Sequence, residues 1–110
     1  MTKYGNNVIQ TEDGKFDSQR EYTRWCELKL LQRAGEISDL QRQVKFELIP
    51  TQYDPVTKKV VERNCVYIAD FVYTENGKTV VEDAKGMRTK EYTIKRKLLL
   101  KERGLRIKEV

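Results

Sequence analysis

Two runs rich in β-branched and aromatic residues, Val60–Tyr73 and Lys78–Lys85, lie on either side of Asn76-Gly77. An Asn-Gly pair between such runs is the strongest short-range signal for a β-hairpin, because both residues readily take the positive φ values of a tight turn. The first run is long enough for one long strand or for two strands interrupted by a loop. The sequence therefore predicts an antiparallel strand pair that the rest of the chain must pack against.

The length of the turn fixes which residues of the two strands face each other. A two-residue turn pairs Glu75 with Lys78, and the same register places Asp70 across from Asp83. A four-residue loop would keep this register, whereas a loop of odd length would break it. Cross-strand neighbours share a face of the sheet, and the pleat returns Lys85 to that face two residues after Asp83. We therefore expect two acids and one lysine to lie side by side.

Caps, turn residues and periodicity predict the remaining elements. These are a hairpin around Asp13-Gly14, a helix that begins at Asp17 or Ser18 and stops at Gly35, a strand over 43–50, a loop or hairpin tip over 51–59, a helix from Thr89 to Arg103 closed by Gly104, and a strand over 105–110. The predicted fold class is α/β. It is a single domain in which residues 1–16 form an N-terminal arm and hairpin and residues 17–110 form an α-β-β-β-α-β core.

Composition excludes several classes of protein. The chain has 110 residues, enough for one core, and no apolar run approaches the length of a membrane span. It contains no histidine, so imidazole general bases, serine or cysteine nucleophiles paired with histidine, and histidine-ligated zinc are all excluded. Cys26 and Cys65 are too far apart for a C-x-x-C motif. We expect a reduced, cytosolic protein without membrane contact.

The charge is unevenly distributed along the chain. The net charge is +5, but residues 85–110 hold ten basic and three acidic side chains, whereas residues 1–84 have a balance of −2. A basic C-terminal third predicts a polyanionic partner, and a solvated, lysine-rich helix is an equally good interpretation from charge alone. The candidate phosphate contacts are Arg88, Lys90, Lys95, Arg96 and Lys97.

The two acids of the predicted hairpin favour a metal site. Carboxylates opposed on neighbouring strands repel each other unless a cation lies between them, and both Asp70 and Asp83 are flanked by apolar residues. Hard oxygen ligands of this kind suit Mg²⁺ or Mn²⁺. Lys85 would then orient or deprotonate a water, or stabilise charge on a phosphate. In the structural alternative, Asp70 faces solvent and Asp83 forms a surface ion pair with Lys85.

The spacing of these residues resembles the signature of the PD-(D/E)xK nuclease superfamily, in which Asp70 is followed, after twelve residues, by Asp83-Ala84-Lys85. Ala69 stands where that signature has proline. The resemblance implies a restriction-endonuclease-like fold with a mixed central sheet. A wider set of motifs looks like a family of small phage and prophage proteins similar to Holliday-junction resolvases: Phe16-Asp17-Ser18…Glu21, Gln43…Phe46, Tyr67-Ile68-Ala69-Asp70-Phe71 and Val81-Glu82-Asp83-Ala84-Lys85-Gly86.

The resemblance also implies roles for single residues. Asp70 and Asp83 match the metal-binding acids, Lys85 matches the catalytic lysine, and the backbone carbonyl of Ala84 would complete the metal shell. Glu21 matches a further catalytic acid that meets the metal directly or through water. Because Ser18-x-x-Glu21 is also a capping box, capping of the first helix is the alternative role for that glutamate.

Two other polar residues near these motifs receive a structural interpretation. Glu82 competes with Asp83 as an acid, but it falls on the opposite face of the predicted strand. Gln43 is expected to occupy a solvent-facing strand position, although it lies within reach of the edge of the site.

The function implied by the resemblance is a Mg²⁺- or Mn²⁺-dependent DNA endonuclease. Branched DNA in phage recombination or packaging is the expected substrate, and the protein would act in the host cytoplasm. Symmetric cleavage of a junction needs two active sites, so we expect a homodimer. The alternatives are a nicking or flap endonuclease on duplex DNA, and a catalytically silent DNA-binding protein.

Overall fold

The computed structural model describes residues 8–84 and 88–110. Lys85, the predicted catalytic lysine, lies outside these ranges. The described elements are β1 (Ile9–Thr11), β2 (Gly14–Phe16), α1 (Gln19–Arg33), β3 (Ser38–Ile49), β4 (Gln52–Tyr53), β5 (Val60–Glu62), β6 (Cys65–Glu75), β7 (Lys78–Asp83), α2 (Lys90–Arg103) and β8 (Ile107–Glu109). In the part of the chain that is described, neither helix combines the length and the apolar character needed to cross a membrane.

The central sheet is mixed and has the strand order β3-β6-β7-β8. The first three strands pair antiparallel, whereas β8 runs parallel to β7. Parallel neighbours need a crossover connection, which α2 provides between β7 and β8. Two short hairpins, β1-β2 and β4-β5, lie outside this sheet. The predicted α/β class with a mixed sheet is therefore confirmed, and the elements follow one another in the predicted α-β-β-β-α-β order.

The predicted register of the central hairpin is confirmed. Glu75 pairs with Lys78 and Phe71 pairs with Glu82, and the turn residues between the strands have φ values of +53° and +75°. Continuing this register by one residue places Asp70 across from the last residue of β7. The long β-rich run is interrupted, as one of its two interpretations required, and its first part forms β5 of the small hairpin.

The ends of both helices agree with the caps predicted from sequence. The Ser18 side chain accepts a hydrogen bond from the Glu21 N–H at 3.1 Å, and Thr89 caps α2 in the same way. Gly35 and Gly104 follow the helix ends with φ values of +82° and +66°, a conformation that glycine adopts without steric cost.

The start of β3 differs from the prediction, which placed the strand over 43–50. The strand begins five residues earlier, at Ser38, and Ser38, Gln41 and Arg42 pair with the second half of β6. Asp39 and Gln43 have positive φ values and the register shifts between Ser38 and Gln41. The half-buried position before Val44 is occupied by Arg42, so this segment lacks the alternation of polar and apolar residues that identifies a strand in the sequence.

Two hydrophobic clusters cover opposite faces of the sheet. The α1-side cluster consists of Leu28, Ile37, Phe71, Tyr73 and Ala84. The α2-side cluster consists of Leu48, Tyr67, Ala69, Val81 and Leu99. The consecutive residues Val80 and Val81 of β7 pack against different clusters, as expected of neighbours in a regular strand.

Strand β6 changes sides in its middle. Ala69 belongs to the α2-side cluster, but Phe71 belongs to the α1-side cluster, although residues two apart in a regular strand share a face. Asp70 lies between them. On β3, Gln43 has a φ of +55° and lies at the same level, between the residues paired with Phe71 and Ala69. Both strands therefore leave the regular pleat at the level of Asp70.

A buried ion pair fixes α1 to the end of β7. Glu82 is fully buried, and Arg24 of α1 donates to its two carboxylate oxygens at 2.8 and 2.7 Å. The Tyr73 hydroxyl donates to the same carboxylate. Burial, with this hydrogen bond second, raises the pKa of Tyr73 and keeps it a donor. Glu82 is thus held on the α1 side, away from the face expected for Asp83.

We expect Arg24→Ala to lower the free energy of unfolding by about 3 kcal/mol, because it removes the two hydrogen bonds of the closest charged partner and leaves the buried carboxylate with only the more distant Lys108, at 4.0 Å. Chemical denaturation monitored by circular dichroism measures this loss. Glu27→Ala removes only the exposed partner of Arg24 and should cost less than about 1 kcal/mol. Equal losses in the two variants would contradict the structural role of the Arg24–Glu82 pair.

Candidate active site

Asp70 is anchored where β6 changes sides. Its side chain is buried, with the residue 1% exposed. One carboxylate oxygen, Oδ2, accepts the backbone N–H of Ala84 at 2.8 Å, and Oδ1 accepts from Gln43 Nε2 at 3.4 Å. The bond to Ala84 ties Asp70 to the end of β7, one residue beyond Asp83. Asp70 therefore does not face solvent, and the structural alternative for this residue is wrong.

Glu21 reaches the same place from α1. It is 3% exposed, and its Oε2 accepts from Gln43 Nε2 at 3.1 Å. Its other oxygen, Oε1, accepts the backbone N–H of Asp17 at 3.2 Å. Glu21 thus contributes to capping with one oxygen and shares an amide donor with Asp70 through the other. The two alternatives from the sequence are compatible in one side chain.

A positive charge lies beside Glu21. Arg42 Nη2 is 3.9 Å from Glu21 Oε2, but the same nitrogen donates to the Lys15 carbonyl at 2.6 Å. The guanidinium also lies over the Phe16 ring, 3.8 Å from its centroid. Arg42 is therefore fixed by the N-terminal hairpin, and it balances part of the charge that Glu21 brings to the site.

Asp83 is 3% exposed, and its side chain is held from the α2 side of the sheet. The Tyr67 hydroxyl donates to Asp83 Oδ2 at 2.7 Å, and the Val110 N–H donates to the Asp83 carbonyl at 3.0 Å. Burial, and then the bond to Asp83, raises the pKa of Tyr67, so the phenol remains a protonated donor. The prediction that Glu82 and Asp83 occupy opposite faces is confirmed.

The described residues bring Glu21 and Asp70 together through Gln43, and the strand register brings Asp83 opposite Asp70. Among these residues no set of three or more acidic or cysteine side chains is assembled to hold a metal ion. Mg²⁺ is commonly bound by one or two carboxylates and several waters, so a coupled carboxylate pair fits its preference. The metal role of the Ala84 carbonyl stays a prediction.

Gln43 combines the two roles that the sequence left open. We expected a solvent-facing strand position within reach of the edge of the site, as alternation with Lys45 and Glu47 indicated. The residue is exposed, and its amide also donates to Glu21 and Asp70, so the expected exposure is confirmed and the side chain reaches the site as well. The left-handed backbone at Gln43 reorients the side chain, and no local sequence signal reveals that conformation.

The predicted phosphate contacts fall into two groups. In the first group, the side chains form ion pairs. Arg88 Nη2 lies 2.5 Å from Glu109 Oε1, and Arg96 Nη1 lies 3.5 Å from Glu109 Oε2. Lys95 Nζ lies 3.6 Å from Glu91 Oε1. A hydrogen bond from Tyr92, followed by the two arginines, lowers the pKa of Glu109. Lys90 and Lys97 form no ion pair with another described residue, and both are exposed. Among the predicted phosphate contacts, these two lysines are therefore the ones whose charge is not offset by a described acid.

The chain belongs to a family described as a protein of unknown function (DUF1064), whose model matches residues 1–108. No curated protein matches the chain, and no solved structure matches it. The family match thus covers nearly the whole chain, and an assignment of function must come from the residues themselves.

We expect Tyr67→Phe to lower the free energy of unfolding by about 1–2 kcal/mol, because it removes a buried donor from the Asp83 carboxylate. Urea denaturation at neutral pH measures this change. Tyr53→Phe, on the exposed strand β4, is the matched control and should leave stability unchanged. If both variants were as stable as the wild type, the hydrogen bond would contribute nothing to holding Asp83.

Proposed function

We propose that this protein is a Mg²⁺-dependent DNA endonuclease with a restriction-endonuclease-like core. One observation carries the proposal: the buried carboxylates of Glu21 and Asp70, from α1 and β6, share a single amide donor. The strand register places Asp83 of β7 across from Asp70, and in the proposal Asp83 supplies the third carboxylate. Acids that are buried and coupled in this way cost stability, so a function is the better explanation for their presence.

The residues fit a metal centre for phosphodiester hydrolysis. Asp70 and Asp83 supply hard oxygen ligands, and Glu21 supports the ion directly or through water. When bound, the ion would activate a water and neutralise charge on the scissile phosphate. The chain's own contribution is to hold the carboxylates in place, through the Ala84 N–H, the Tyr67 hydroxyl and the Gln43 amide.

Lys85 completes the proposed site from the sequence. It follows Ala84, whose N–H holds Asp70, so the chain passes the carboxylates immediately before it reaches this lysine. As an ammonium group it would stabilise the charge that develops on the phosphate, and as a neutral amine it would take a proton from the attacking water. In the proposed mechanism Lys85 acts with Asp70 and Asp83.

Helix α2 supports DNA as the substrate. It begins five residues after Lys85, so the exposed Lys90 and Lys97 can hold the phosphate backbone next to the reacting group. Such contacts position DNA without reading its sequence. We propose that branched DNA is the preferred substrate, in phage recombination or packaging within the host cytoplasm, and that a homodimer supplies the two sites for symmetric cleavage.

We expect purified protein to cleave a synthetic four-way junction with Mg²⁺, and Asp70→Asn and Lys85→Ala each to reduce the rate by at least about 100-fold. Gel electrophoresis of labelled arms measures the rate. Glu75→Gln and Lys78→Ala are the controls, since both residues are exposed on the same hairpin, and they should cleave at the wild-type rate.

The choice of substrate decides between the related activities. Parallel assays on a flap and on a supercoiled plasmid should give slower cleavage than the junction. Faster cleavage of the flap or nicking of the plasmid would replace the resolvase proposal with a flap or nicking endonuclease. DNA binding without any metal-dependent product, or wild-type rates in the Asp70 and Lys85 variants, would contradict the proposed mechanism.

We expect Lys97→Glu to weaken binding to junction DNA several-fold and to reduce the slope of log affinity against log salt by about 1, because a phosphate contact is lost. Fluorescence anisotropy across a salt series measures both effects. Lys78→Glu makes the same change in charge at the distant end of β7 and should affect binding much less. Equal effects of the two variants would indicate that α2 is not the DNA-binding surface.

A further inference from the structure

Gln43 combines an unfavourable backbone with a functional side chain. Its φ of +55° lies in the left-handed region that residues with a side chain rarely adopt. Strained conformations of this kind persist where the surrounding structure imposes them, and they concentrate at functional sites. Gln43 lies at the point where β3 and β6 leave the regular pleat. Its left-handed backbone directs the side-chain amide to Glu21 and Asp70.

The amide nitrogen of Gln43 lies between the carboxylates of Glu21 and Asp70, where a bound cation would reduce their repulsion. Gln43 Nε2 lies 3.1 Å from Glu21 Oε2 and 3.4 Å from Asp70 Oδ1. Ionised carboxylates only accept hydrogen bonds, so the NH₂ end of the amide, with its two donors, must face them. Its two N–H dipoles offset the repulsion between the carboxylates and keep them at a fixed separation.

We infer that Gln43 holds the place of the metal ion and that cation binding displaces its amide nitrogen from between Glu21 and Asp70. The inference rests on the proposed metal-dependent function. Hard cations take oxygen ligands, and an amide NH₂ offers donors only, so the ion and the nitrogen cannot share the same two oxygens. Gln43 is exposed, which gives its side chain room to leave. Gln43 is therefore a positioning residue that sets the metal concentration the site requires.

Arg42, whose guanidinium also lies near Glu21, is not equivalent to Gln43. Its Nη2 and Nη1 donate to the Lys15 and Asp13 carbonyls, at 2.6 and 3.4 Å, and its guanidinium is stacked on Phe16. These contacts fix Arg42 to the N-terminal hairpin, so it stays in place when an ion enters. When an ion displaces Gln43, by contrast, the side chain loses only its two hydrogen bonds to Glu21 and Asp70.

Isothermal titration of the full chain with MnCl₂ tests the inference. Gln43→Ala should bind Mn²⁺ about three- to tenfold more tightly than the wild type, because the ion no longer competes with two charge-assisted hydrogen bonds. Gln41→Ala is the matched control, as the same residue type at an exposed position of the same strand, and should bind like the wild type. Unchanged or weaker binding in Gln43→Ala overturns the inference but leaves the proposed function standing.

A second measurement uses the wild-type protein. The side-chain NH₂ signal of Gln43 in a ¹H–¹⁵N spectrum, assigned by triple-resonance experiments on the wild-type protein, should shift towards that of a solvated amide as Mg²⁺ is added. A signal that stays in place while Mg²⁺ binds overturns the inference, even if the variant fails to fold. Wild-type protein that binds neither Mn²⁺ nor Mg²⁺ at millimolar concentrations overturns the proposed function, and the inference with it.

Discussion

The candidate site depends on the change of sides that β3 and β6 make at the level of Gln43 and Asp70. In a regular pleat, the side chains of Ala69 and Phe71 would lie on one face of the sheet, and the side chain of Asp70 would lie on the opposite face. Because both strands leave that pleat at the same level, Asp70 accepts the N–H of Ala84 and also meets a donor shared with α1. Glu21 lies on α1 and not on the sheet. The departure of both strands from the regular pleat is what brings it into contact with Asp70 through Gln43.

The consecutive acids Glu82 and Asp83 show how a strand separates two buried carboxylates. Glu82 lies on the α1 side, where Arg24 donates two hydrogen bonds to it. Asp83 lies on the α2 side, where it accepts a hydrogen bond from the Tyr67 hydroxyl. The pleat thus gives the two neighbouring acids different partners, and the register places Asp83, not Glu82, across from Asp70.

Sequence reasoning was most successful where the signal is local. The Asn-Gly turn specified the hairpin and its register, and the caps at Ser18 and Thr89 marked the starts of both helices. It missed the start of β3, where Arg42 occupies a half-buried position, and it gave no sign of the left-handed backbone at Gln43. A left-handed conformation at glutamine is imposed by neighbouring strands, so residue preference gives no warning of it.

By itself, the sequence determined which groups the chain can use: carboxylates, lysines and a basic helix, without any imidazole. It also determined the hairpin register, which continued by one residue places Asp70 across from Asp83, because turn length and the two-residue period of a strand set that register. Only the tertiary structure decided that Glu21 joins Asp70 through Gln43 and that Arg88 and Arg96 are paired with Glu109. Those contacts join residues far apart in the chain, and they depend on how helices dock on a sheet that changes sides, which periodicity does not encode.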